Sequence, residues 1–149
     1  MSSPEQKVTA ILMLEVMGRP PEHLKETLAD FIKKIDEEPG VHVKASEIHE
    51  PKELEDEKGY YTTFSDIEVE TDTLREIMVL TFKYMPSHID VITPENFRLE
   101  NNYFNELFNE ITRRLHAYDQ VARIVQNEKA IMEKQLKEFV EKEKKKSSK

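Results

Sequence analysis

Apolar residues recur along the chain with two different periods, and the changes of period mark the elements. Residues 7–17 are apolar on both alternations, with Val8, Ala10, Leu12, Leu14 and Val16 on one and Ile11, Met13 and Met17 on the other. Such a strand belongs in the middle of a sheet with both faces covered. Gly18, Arg19, Pro20 and Pro21 break it and set a proline at the first turn of a helix. Leu24, Leu28, Phe31 and Ile35 then follow at spacings of four, three and four, until Pro39 and Gly40 end the helix. Val41, Val43 and Ala45 alternate with His42, Lys44 and Ser46, which predicts a second strand with one wet face. The alternation fails after Ile48, so residues 50–58 read as a charged loop. Residues 60–70 alternate again, with Ile67 and Val69 inward against Asp66, Glu68 and Glu70, and complete a long hairpin.

Thr73 and Glu76 have capping-box spacing ahead of Leu74, Ile77, Met78, Leu80, Phe82 and Tyr84, and Pro86 closes this second helix. Residues 88–93 form a fourth strand, and Asn101 or Asn102 would cap a last, long helix. In that helix Phe104, Phe108, Ile111, Leu115, Tyr118, Ala122, Val125, Lys129, Met132, Leu136 and Phe139 fall at alternating spacings of four and three, the seam of a coiled coil. At 1.5 Å per residue the helix would run on the order of 55–60 Å, so part of it should project beyond its domain or lie against a partner.

The order β-α-β-β-α-β-α predicts an α+β fold. Residues 1–100 form a ferredoxin-like βαββαβ sandwich, with two helices on one face of a four-stranded antiparallel sheet. A long amphipathic helix over 101–143 and a disordered basic tail over 144–149 follow. The order puts strands one and three in the centre and leaves the second sheet face bare. Phe104, Phe108, Ile111, Leu115 and Tyr118 are expected to cover that face, and Val121, Ala122, Val125, Lys129, Met132, Leu136 and Phe139 to pair subunits, with Lys129 at an a position. At the level of fold the arrangement resembles ACT-like regulatory modules, which place ligands or partners at strand edges and subunit interfaces.

Composition narrows the function. Without cysteine the chain has no structural disulfide, zinc-thiolate site or thiol nucleophile of its own, which fits a cytoplasmic protein. No stretch has the length of a membrane span and no apolar leader is visible. Residues 1–100 carry 22 acids against 11 bases, and residues 101–149 carry 8 against 11. The acidic domain disfavours nucleic acid, whereas the lysine-rich tail would tolerate it. Three glycines are too few for a phosphate loop, and no G-x-S-x-G occurs, so neither an enzyme nor a cofactor is expected.

Three groupings are candidates for chemistry. His88 and Asp90 share one side of strand four, Asp66 and Glu68 one side of strand three, and Glu15 lies on strand one between them; a divalent ion would suit this set, and solvent-facing strand residues are the plainer account. Arg113, Arg114 and His116 would dock an anion or a partner, against an ordinary charged helix surface. Tyr60, Tyr61 and Phe64 are the aromatics an RNA-binding sheet would use, beside acids of the wrong sign. His42 and His49 read as surface residues. The expected function is a non-enzymatic homo-oligomeric interaction or regulatory protein, with a possible protein partner. The alternatives are an RNA- or ribosome-associated factor and a small metal-dependent enzyme.

Overall fold

A computed structural model describes residues 6–148; residues 1–5 and Lys149, the start of the expected domain and the end of the expected tail, lie outside the described residues. The elements run β1 (Val8–Gly18), α1 (Pro21–Glu37), β2 (Val41–Ile48), β3 (Lys52–Glu53), β4 (Tyr61–Thr71), α2 (Leu74–Tyr84), β5 (His88–Thr93) and α3 (Asn101–Ser147). They form two compact units, the first ending at Leu107 and the second beginning at Phe108.

In the first unit all strand pairs are antiparallel and the order is β2-β4-β1-β5, so the two long strands are central, as the ferredoxin-like pattern requires. The sheet has five strands rather than four. The extra one is the two-residue β3, where Lys52 and Glu53 lie opposite Thr62 and Tyr61 inside the stretch expected to be a plain loop. Its backbone groups find partners on the protruding end of β4, which sequence periodicity over two residues cannot reveal.

Val8, Ala10, Leu12 and Leu14 of β1, Ile67 and Val69 of β4, Leu28 and Ile35 of α1, and Ile77 and Leu80 of α2 make the core on the helix side of the sheet. Pro21 opens α1, and the left-handed Gly40 (φ +73°) turns the chain from α1 into β2. The capping box at Thr73 is present, with Thr73 N–H donating to Glu76 Oε2 at 2.9 Å. At the other end of α2 Met85 takes the left-handed conformation and donates its N–H to Thr81 O.

Two corrections concern α3. Phe104 N–H bonds to Glu100 O, so Glu100 holds the cap position expected of Asn101 or Asn102. Helical geometry continues to Ser147, through most of the stretch expected to be a loose tail; Lys144, Lys145 and Lys146 form its last turn, where the negative end of the helix dipole favours cations. No helix among the described residues is long and apolar enough to cross a membrane.

Candidate functional site

The face of the sheet away from the core carries most of the candidate chemistry, and register fixes which side chains share it. Directly opposed residues point to the same side. Glu68 of β4 and Asp90 of β5 flank Ile11, and Asp66 and His88 flank Met13. Glu15 lies opposite Phe64 and accepts a hydrogen bond from Thr62 Oγ1 at 3.0 Å. The five expected ligand residues therefore do share one face, but the β4 and β5 members are two strands apart, about 10 Å, with apolar Ile11 and Met13 between.

The compact cluster lies on the other side of β4. A bulge between Val43 and Ala45 reverses the alternation of β2. Val41 and Val43 face the core opposite Thr71 and Val69, but past the bulge Ala45 is opposite Glu68 and Glu47 is opposite Asp66, both on the open face. Ser46 and Ile48 move to the core side, opposite Ile67 and Ser65. The expectation that Ala45 lines up with Val41 and Val43 is thus corrected: Lys44 is the extra residue that shifts the phase.

The reversal also brings His49 to the open face. Its Nε2 lies 2.9 Å from Asp66 Oδ2, and its ring stacks on Phe64 with centroids 4.2 Å apart. The backbone is held at both ends: His49 N–H donates to Phe64 O at 2.9 Å, and His49 O accepts from Thr63 Oγ1 at 2.6 Å. One donor atom from each of Glu47, His49 and Asp66 lies within 4.8 Å of the others. Of these, only Asp66 belongs to the expected set. Strict alternation does not bring Glu47 or His49 beside Asp66, so the sequence pattern leaves Glu47 out of the set and makes His49 a surface residue.

Charge along this face is compensated unevenly. Glu70 is answered by Lys44 at 2.8 Å and Lys7 at 3.7 Å. The Lys44 hydrogen bond holds the Glu70 carboxyl below the usual carboxylate range, and Glu70 in turn raises Lys44. Four residues along β4 the picture changes: Glu47 and Asp66 are like charges directly opposed, an arrangement that destabilises a strand pair. Among the described residues His49 is the basic group paired with Asp66, and no lysine or arginine forms an ion pair with either carboxylate. Of the three aromatics an RNA-binding face would use, Phe64 stacks on the His49 ring and Tyr60 lies under the Arg19 guanidinium, 4.8 Å from its centroid.

The last residues of the first unit start α3. Leu107 is buried there, while Phe104 is 46% exposed. In the second unit Phe108, Leu115 and Tyr118 are about half exposed, and Val121, Val125, Met132, Leu136 and Phe139 are between 55 and 63% exposed. Arg114 lies 3.1 Å from Glu110 and Arg123 2.8 Å from Asp119, each one helical turn apart, while Arg113 and His116 are exposed. Val125, Glu128, Lys129, Met132, Glu133 and Leu136 surround a shallow depression of about 430 Å³.

The chain belongs to the MJ0538 family, whose model matches residues 9–146. No curated protein and no solved structure matches it.

Proposed function

We propose that this member of the MJ0538 family is a homo-oligomeric interaction or regulatory protein whose C-terminal helix pairs it with a second copy of itself. The observation that carries this reading is the depression bounded by Val125, Glu128, Lys129, Met132, Glu133 and Leu136. In heptad terms Val125, Glu128, Lys129 and Met132 frame the hole that receives an a-position side chain, and Lys129, Met132, Glu133 and Leu136 the hole that receives a d-position one. The two holes are consecutive and lie on the stripe that also supplies the knobs. A second copy is therefore a natural occupant, since one surface provides both halves of an isologous contact.

Charge supports the same choice. Lys129 stands between Glu128 and Glu133, 3.9 Å from the Glu133 carboxylate, so the identical lysine of a second copy, entering the a-position hole, meets Glu128 there. The regular spacing from Tyr118 to Phe139 covers three heptads, the length at which a coiled coil becomes a specific pairing. The spacing of Phe104, Phe108 and Tyr118 continues the same seam toward the start of the helix.

Light scattering on the full chain tests the proposal. A mass of at least twice the 17.6 kDa chain is expected. The double substitution Val125→Glu and Met132→Glu should reduce it to one chain, with the far-ultraviolet spectrum of the sheet domain retained. A single-chain mass for the unaltered protein at about 100 μM, well above the micromolar dissociation constants of weak pairs, would reject pairing.

A further inference from the structure

We infer that Glu47, His49 and Asp66 form a binding site for one divalent transition-metal ion on the open face of the sheet, with His49 Nε2 as the nitrogen donor. Two donors, each about 2.1 Å from one ion, lie about 3.0 Å apart at right angles and about 3.4 Å apart at the tetrahedral angle. The distance from His49 Nε2 to Asp66 Oδ2 is 2.9 Å. A carboxylate oxygen of Glu47 lies within 4.8 Å of a ring nitrogen of His49 and of a carboxylate oxygen of Asp66, a gap that side-chain rotation of an exposed glutamate closes.

The site is built before any ion arrives. His49 is held through its N–H, its carbonyl and the face of its ring, so its orientation does not depend on the bond to Asp66. A separate observation points to a cation. Glu70, on the same face, is neutralised by two lysines of the chain, whereas the opposed pair Glu47 and Asp66 has no lysine or arginine partner among the described residues. A dication shared by the two carboxylates removes that repulsion. Beside them lies a depression of about 410 Å³ bounded by Ile11, Ala45, Ser46, Glu47, Asp66 and Glu68, with space for the waters that complete the coordination shell.

The donor set selects the metal. One imidazole with two carboxylates suits Zn²⁺, Co²⁺ or Mn²⁺, whereas Ca²⁺ and Mg²⁺ prefer oxygen alone. Three protein ligands leave positions open for water or for a group on a ligand. All three residues belong to the first unit, so the site stands whether or not chains pair.

Full-length protein stripped with chelator and titrated calorimetrically with Zn²⁺, Co²⁺ and Mn²⁺ provides the test. One ion per chain is expected, and for Co²⁺ a visible absorption band shifted and strengthened relative to that of the aqua ion. His49→Ala should weaken binding by at least about 30-fold, within the range typical for lost metal-site contacts, and abolish the band, while His88→Ala leaves both unchanged. Glu47→Gln, at an exposed position, repeats the test should His49→Ala disturb folding. No ion bound more tightly than about 1 mM, the level of weak acidic surfaces, or equal losses in the His49 and His88 variants, would overturn the inference.

Discussion

Tyr84 Oη donates a 2.9 Å hydrogen bond to Glu38 Oε1, joining the end of α2 to the residue that closes α1. Lys83 Nζ lies 3.0 Å from Glu38 Oε2, so two donors converge on one carboxylate whose side chain is only 15% exposed. The Lys83 hydrogen bond holds Glu38 below the ordinary carboxylate value, against the opposing effect of burial, with Tyr84 contributing in the same direction. Burial first, and the Glu38 carboxylate second, push the Tyr84 phenol up to about 12. Tyr84→Phe should cost about 1 kcal/mol at neutral pH, less than the roughly 1.5–3 kcal/mol of a bond to a charged group because the position is partly exposed. A raised phenol contributes stability fully below its unfolded value near 10 and loses it as pH rises through about 12. Denaturant midpoints of the two proteins should therefore differ constantly from pH 7 to 10 and converge above it.

The acid side has the opposite sign. A lowered carboxyl contributes stability above its unfolded value and loses it as pH falls through the folded one. Glu38→Gln should be less stable than the parent at pH 7, by about 1–2 kcal/mol for the charge-assisted bonds lost, and the gap should shrink below the ordinary carboxylate value of 4.5. A gap that stays constant down to pH 3 would remove Glu38 from the account.

Gly40 and Met85 make a pair of opposite tests. Both have positive φ, +73° and +46°. A Cβ at position 40 would meet Glu76 Cγ at 3.2 Å and Asp72 Oδ2 at 3.3 Å, so Gly40→Ala adds crowding to a conformational cost of about 1–2 kcal/mol and should destabilise by at least that much. Met85 is 68% exposed and gives up little packing when removed. Met85→Gly should accordingly stabilise the chain by about 0.5–1 kcal/mol, since glycine suits the left-handed position at a helix end. Thermal midpoints moving in opposite directions would confirm both halves.

The sequence makes the fold class and the candidate site legible to different degrees. β1, β4 and both short helices show their periods over eleven or more residues, and the apolar double face of β1 correctly puts it in the centre of the sheet. β3 has two residues and no period at all. The site was hidden for a sharper reason: the bulge at Lys44 exchanges the two faces of β2 halfway along, and one slipped residue is enough to send Glu47 to the wrong side. Val41 and Val43 look like the start of a regular alternation, and nothing local to Ala45, Ser46 or Glu47 announces that it has changed phase. β4 has no such interruption along its pairing with β1, so its alternation alone puts Asp66 on the open face, while its partner His49 lies just beyond the end of β2.

Lys129 offers the most direct test of helix pairing by gain rather than loss. It occupies an a position between Val125 and Met132, where a charged side chain fixes register at the expense of stability. Within its own helix its contact with Glu133 is long, 3.9 Å, and both side chains are mostly exposed, so losing that pair costs no more than about 0.5 kcal/mol. Lys129→Ile replaces a charge that must be desolvated on pairing with an apolar β-branched residue suited to an a position. If two copies meet along this seam, the apolar gain exceeds the lost ion pair, and association should tighten by about tenfold or more, equivalent to roughly 1.4 kcal/mol. Sedimentation equilibrium over a concentration series reads this as a fall in the dissociation constant. Lys137→Ile, on the outer face of the same helix, is the control that should leave it unchanged. Equal effects at both positions would mean that added hydrophobicity, rather than the seam, drives association.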